Sequence, residues 1–194
     1  FTSIGPNPRM VRMFMAEKGI ELPIEEVNLL SGDNRQKPYT DRNPGGQMPA
    51  LELDDGSVIA ETTTMCEYLE EKYPTPVIIG DTPESRALSR MWVRRVELNI
   101  TENIYNGFRY AEGLPLFKDR LYCIPEAADG LKAKAKNQLK WLDGLLGNKA
   151  YIGGDNVGLN PELKNINTWF VRMDQRPSAK ASLHATSDAV GMKG

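Results

Sequence analysis

Histidine and cysteine are nearly absent from this chain: His184 is the only imidazole, and Cys66 and Cys123 are the only thiols among 194 residues. One imidazole and two scattered thiols do not make a zinc site, and no metal is expected. Two cysteines outside any Cys-x-x-Cys spacing build no disulfide framework. A Ser-His-Asp hydrolase lacks its base, because His184 lies in a polar tail. Such sparse cysteine suits a reducing compartment, so a cytoplasmic location is expected. Long apolar runs are missing too. The mean hydropathy is -0.46, and no stretch approaches the roughly 20 apolar residues of a membrane span. The opening residues carry no secretory signal, and a few residues are expected to precede Phe1. Neither charge sign dominates: Lys and Arg number 24 against 26 Asp and Glu, a net charge of -2. That balance gives no bulk attraction to nucleic acid or to an acidic membrane, and neither partner is expected.

What remains is an ordinary globular composition, 40% hydrophobic and 26% charged. The length fits one large domain or two small ones. Val11, Phe14, Met15 and Lys18 repeat at helical spacing over 9–18, with Gly19 as the stop. Ile24 to Leu29 alternates weakly and reads as a strand. Ser31 to Asn43 is polar and aperiodic, a loop or a short irregular helix. Asp55-Gly56 between the apolar runs 50–53 and 58–60 signals a hairpin. A helix from Glu61 or Thr62 to about Lys72 follows, ended by Pro74 and Pro76. After a proline-rich linker everything reads helical. Asp81 or Thr82 caps the next helix, with Pro83 at its first position. Leu88, Met91, Trp92, Arg95, Val96 and Asn99 stripe a helix reaching Tyr110. A second runs from Glu126 to Leu146, and a third from Pro161 to Arg176. The tail beyond Pro177 is poorly periodic.

Three segments could carry chemistry. Ser3-Ile4-Gly5-Pro6-Asn7-Pro8 joins a strand end to a helix start, where unpaired N–H groups favour an anion such as a thiolate; a plain turn capped by Asn7 is the alternative. Met48-Pro49 opens the hairpin, and a cis bond there would present the Met48 backbone to a ligand; a trans bond at a strand start is the alternative. Glu61-Thr62-Thr63-Thr64 begins a helix whose N–H groups could hold a carboxylate while Glu61 accepts from an ammonium, a pairing that suits an α-amino acid head group. The plain alternative is a capping box, Thr64 to Glu67.

Together these pieces resemble the cytosolic glutathione transferase family. The stretch "NPGGQMPALELDDGSVIAETTTMCEYLEEKYP", Asn43 to Pro74, carries the likeness most specifically. The family has an Asn-Pro-x-Gly-x-x-Pro segment, a hairpin, Glu-Ser, then a helix ending Tyr-Leu-x-x-x-Tyr-Pro; here Thr62 replaces the Ser and keeps the hydroxyl. The resemblance implies a thioredoxin-like α/β domain over 1–76 and an all-helical domain over 84–194. It implies glutathione as substrate. Met48, before the cis-proline Pro49, would pair its backbone with the cysteinyl part, Glu61 and Thr62 would hold the γ-glutamyl group, and Arg35 and Gln47 would approach the glycyl carboxylate.

At the catalytic position this chain departs from the family. Gly5 stands where theta- and zeta-like members carry Ser, and Asn7 where beta-like members carry Cys; "GPNP" is similar to the Thr-Pro-Asn of nu-class members, with Gly5 for Thr. The expected thiolate donors are therefore Asn7 Nδ2 and the N–H groups of the Pro8–Val11 helix start, with Ser3 second. A second departure follows "AYIGGD": the family places one more core helix there, so a segment is expected between Asp155 and Asn156. Its loss would leave Leu142, Leu145, Trp169 and Met173 partly uncovered.

The implied reaction is attack of glutathione thiolate on a small electrophile held between the domains, as in detoxification, with glutathione-dependent peroxidase as a side activity. Ile4, Pro6, Arg9, Asn99, Asn103 and Tyr105 would line the electrophile pocket. A two-fold homodimer is implied. The alternative is a non-catalytic glutathione-binding or scaffolding homologue, which the missing hydroxyl keeps open.

Overall fold

The computed structural model describes residues 1–147, 168 and 171–183, which form two compact units. The first contains Phe1–Ile79 and the chain from Asp174 onward; the second contains Gly80–Met173. The sequence grouped residues 174–183 with the helical half. Their polar contacts are instead with the first helix.

In the first unit α1 spans Pro6–Lys18, three residues longer at its start than the periodicity suggests. Pro6 takes the first helical position, where a missing N–H costs nothing, and Gly19 closes the helix at φ 64. A short α2, Tyr39–Arg42, follows a single 3-10 turn at Asp33–Arg35. The Asp55-Gly56 hairpin forms as expected: β1 (Leu51–Glu52) pairs antiparallel with β2 (Val58–Ile59), with Gly56 at φ 83. Then α3 spans Thr62–Lys72.

The strand expected at Ile24–Leu29 reduces to one parallel bridge, Thr2 to Glu26. Only Val27 of this stretch is buried, while Ile24 is 58% exposed. The weak alternation has one inward residue and cannot sustain a ladder. Backbone bonds still extend the pairing. Thr2 N–H donates to Glu25 O and Val27 N–H to Thr2 O, both at 2.9 Å, while Phe1 and Ala50 exchange bonds of 2.8 and 3.3 Å. Four extended segments therefore lie in the order 25–27, 1–3, 50–52, 58–59. Helices α1 and α3 pack on one apolar cluster of Val11, Ile20, Met65, Cys66 and Leu69. Val27, Tyr39 and Met48 form a second cluster against Phe1.

In the second unit, Thr82 caps α4 (Pro83–Val96) in a capping box with Ser85. The helix continues through a π turn at Glu97–Thr101 into α5 (Glu102–Arg109). A one-turn α6 (Leu114–Phe117) lies in the region read as a connection, and α7 spans Ala128–Leu146. Ile100, Leu139, Leu142, Leu146 and Met173 form the core, flanked by Trp92, Val96 and Ile104. Of the expected stripe, Trp92 and Val96 face the core, whereas Leu88 is 58% exposed. Inward residues recur every four positions, 92, 96, 100 and 104, and the wider π turn keeps that spacing on one side. Leu142 and Met173 are buried rather than uncovered, whereas Leu145 is exposed. Trp169 and the Asp155–Asn156 junction lie outside the described residues, as does most of the third helix. The tail beyond Pro177 begins with a short helix, α8 (Pro177–Ala181), which packs on α1.

Candidate functional site

The loop into α1 is pinned at its strand end and turns at a glycine. Ser3 is 4% exposed and donates its hydroxyl to Val27 O at 2.7 Å. That proton is committed inside the sheet, so Ser3 does not offer it to a ligand. Gly5 follows at φ 109, a conformation that side-chain-bearing residues rarely adopt. Asn7 is the second residue of α1 and not its cap; Gly5 occupies the cap position, and no side chain caps the helix. Pro6 and Pro8 have no N–H, and Arg9 N–H already donates to Gly5 O at 3.2 Å. Neither Pro8 nor Arg9 therefore adds a donor to the set expected at Pro8–Val11. Among the described residues the Gly5 N–H has no acceptor.

The peptide bond from Met48 to Pro49 is cis, as the motif implies. Among the described residues no group pairs with the N–H or C=O of Met48, although the residue is buried. The preceding carbonyl is held firmly: Gln47 O accepts from Tyr39 OH at 2.6 Å and from Asn43 Nδ2 at 2.8 Å. Gln47 itself is exposed. Arg35 reaches the same loop, donating from Nη1 to Gly45 O at 3.1 Å. Gly46, at φ 60, lets Arg35 approach, since a Cβ there would stand 3.1 Å from its Nη1. Arg35, Gln47 and Met48 are therefore brought together. Tyr39 and Asn43 are the supports missed in the sequence; Asn43 opens the quoted motif, but Tyr39 gave no periodic signal.

Glu61 precedes α3 at φ 69, the only non-glycine residue with positive φ among those described. Its carboxylate is exposed, and neither it nor the Thr62 hydroxyl has a partner among the described residues. No side chain caps α3, and the first N–H groups of a helix lack intrahelical acceptors. The capping box expected from Thr64 does not form, because the helix already begins at Thr62. This helix start thus offers donors for a carboxylate beside a carboxylate for an ammonium.

The residues expected to line an electrophile pocket divide between the two units. In the first, Ile4 is buried and Pro6 exposed. Arg9 is engaged by the chain end, at 3.4 Å from both Ser182 Oγ and Ala179 O. In the second, Asn99 Nδ2 donates to Arg95 O at 2.9 Å, and buried Asn103 donates to Leu98 O at 3.0 Å across the π turn. Tyr105 lies under the Arg109 guanidinium at 5.5 Å, and burial pushes its phenol up to about 12.

Residues 4–72, which contain α1, the cis-proline loop and the start of α3, match the family described as glutathione S-transferase, N-terminal domain. Residues 4–72 are thus a glutathione S-transferase N-terminal domain. The fold of the chain follows from the same likeness: a thioredoxin-like N-terminal domain joined to a helical one. Glutathione S-transferase 2 of Saccharomyces cerevisiae is 28% identical, covering 96% of this chain and 89% of the relative. That alignment runs over 207 positions, longer than this chain, so the relative carries residues with no counterpart here. Maleylacetoacetate isomerase of Pseudomonas aeruginosa is 39% identical, over 41% of this chain and 39% of its own. Among solved structures, Gtt2 from Saccharomyces cerevisiae superposes with a TM-score of 0.81 at 29% identity, covering 92% of this chain and 96% of that one. A Gtt2-class glutathione S-transferase of Vibrio parahaemolyticus gives 0.77 at 26%, covering 94% and 95%. The three segments singled out by sequence all lie on the first unit, and the matched region covers all of them but Ser3.

Proposed function

We propose that this transferase binds glutathione along the Met48 loop and the α3 start, ionises its thiol at the start of α1, and directs the thiolate at a small electrophile. The observation that carries the reading is Glu61. A non-glycine residue at positive φ is strained, and here the strain presents an unpartnered carboxylate beside the open N-terminus of α3. A γ-glutamyl head group matches both charges: its ammonium meets Glu61, and its carboxylate meets Thr62 and the helix N–H groups. The unpaired Met48 backbone suits the extended peptide that follows. Arg35 and Gln47 take the glycyl carboxylate.

The thiol then lies near Asn7 and Gly5. Free thiols titrate near pH ~8.5, and lowering that by two units needs about 2.7 kcal/mol. A few oriented donors supply this, with no general base. Within the first unit, Ile4 and Pro6 lie beside the thiol and would meet the electrophile. The family likeness supports a homodimer.

The test is purified protein assayed with glutathione against halide, epoxide, hydroperoxide and maleyl substrates. Turnover of at least one is expected. A second reading has its own observation: the Ser3 hydroxyl is committed to Val27 O, so the loop offers no free hydroxyl. Glutathione binding with no turnover in any arm would establish that non-catalytic reading.

A further inference from the structure

Residues 174–182 are tied to α1 by a set of polar contacts. Glu17 receives Arg176 Nε at 2.6 Å, Arg176 Nη2 at 2.5 Å and the Ser178 hydroxyl. Arg9 contacts Ser182 Oγ and Ala179 O and lies 3.9 Å from Asp174. Ser182 is completely buried.

Arg12 is the centre of this arrangement. Its Nε donates to Ser182 O at 3.0 Å, while its Nη1 donates to Thr2 Oγ1 at 2.8 Å and to Ser3 O at 3.0 Å. One planar guanidinium therefore joins three pieces of chain: the strand end at 2–3, the middle of α1, and the residues after α8. Only Arg presents donors at fixed angles to both sides; a Lys point charge cannot hold both. Between the strand end and α1 the backbone passes through Gly5 at φ 109, a residue with little conformational preference of its own. The placement of the Gly5 and Asn7 donors relative to the sheet is thus set by what ties α1 to residues 2–3.

We infer that Arg12 is a positioning residue for the thiolate: through it the chain end, anchored at Glu17, fixes the start of α1 against the strand end. The inference rests on the thiolate reading above. Arg12 touches no part of the glutathione site itself, so it acts on thiol ionisation and not on the contacts that bind the peptide. Arg9 and Glu26 are the charged groups beside it.

The experiment compares parent, Arg12→Lys, Glu17→Gln and the double variant, using glutathione and chlorodinitrobenzene. The readouts are the bound thiol's pKa, from thiolate absorbance, together with kcat and KM for glutathione. Arg12→Lys is expected to raise the bound thiol's pKa by about one unit and lower kcat about tenfold at neutral pH, with KM within about twofold. Glu17→Gln should shift the pKa in the same direction, and the pair should be non-additive. Variants that melt earlier yet keep the parental pKa and kcat would overturn the inference and leave Arg12 a stability residue. A parent that binds glutathione without lowering its thiol pKa fails the underlying reading instead, visible before any variant is compared, and removes the inference with it.

Discussion

A backbone at φ 69 costs a non-glycine residue on the order of 1–3 kcal/mol, and Glu61 bears that cost while making no side-chain contact among the described residues. Among the described residues no hydrogen bond or ion pair of its side chain offsets that cost, so the proposed ammonium contact can be tested there. Glu61→Gly removes both the strain and the carboxylate. It should leave thermal stability unchanged or higher while raising KM for glutathione at least about tenfold, the worth of one lost charged contact. Glu61→Gln keeps the strain and should raise KM alike; an unchanged KM in both would show that the carboxylate holds nothing. Asn7→Ala is expected to lower the glutathione-dependent rate ~10–100-fold. Replacing Cys66 and Cys123 together by Ala should leave it within a few-fold, because Cys66 is in the core and burial pushes its thiol up to about 12. Loss of rate on the cysteine changes with none on Asn7→Ala would contradict the thiolate account. At this scale the sequence was readable where a motif fixes a backbone feature, as at Met48-Pro49 and Glu61-Thr62. It was not readable for Ser3: Val27 O becomes its partner only once two segments 24 residues apart are paired.

Between elements, the first unit is fastened by a buried ion pair. Lys18 Nζ, at the end of α1, lies 2.6 Å from Glu70 Oε2 on α3 and 2.6 Å from Pro76 O. Glu70 Oε1 accepts from Ile78 and Ile79 N–H at 2.9 and 3.0 Å. One carboxylate thereby joins two helices and the segment that follows them. Burial pushes the Glu70 carboxyl up, but Lys18 and the two N–H groups outweigh it and hold the group below its ordinary value of 4.5. A lowered folded value means the stabilisation is complete above about pH 4.5 and is lost as pH falls through the folded value. Lys18→Met leaves a buried carboxylate without its cation and should cost about 3–5 kcal/mol. Denaturant melts between pH 3 and 7, roughly the carboxylate range, should also show the parent's acid loss flattened or reversed. A variant as stable as the parent, with the same acid profile, would show the pair to be idle. The sequence placed Lys18 on the inner face of α1 as an apolar stem, but its partner is unreadable because Glu70 lies 52 residues away. Helix ends and the hairpin were legible because Pro, Gly and Asp-Gly punctuate them. The stripe of α4 was legible at Trp92 and Val96, which flank the core, and failed at Leu88, which is exposed.

At the scale of the whole chain, the architecture was legible through the order of its segments more than through any one of them. The weak alternation of Ile24 to Leu29 found the extended run but overstated its length, because only Val27 faces inward. The grouping of 174–183 with the first unit was hidden because its polar partners, Glu17 and Arg12, lie more than 150 residues away in the sequence. The alignment with the yeast relative is longer than this chain, and the family pattern places the extra residues between Asp155 and Asn156. An intact mass clearly above 21.7 kDa, with peptide mapping that locates extra residues there, is the expected outcome; a peptide spanning a direct Asp155–Asn156 bond would exclude it. Sedimentation should give twice the chain mass, and a monomer across the micromolar range would refute the dimer. The account turns on whether the start of α1 ionises a bound thiol, and titrating the thiolate absorbance of glutathione on the protein asks this directly. The predicted bound thiol titrates about two units below the roughly 8.5 of the free thiol, and loses that shift in Asn7→Ala. A bound thiol that titrates like the free one, in a protein saturated with glutathione, would contradict it.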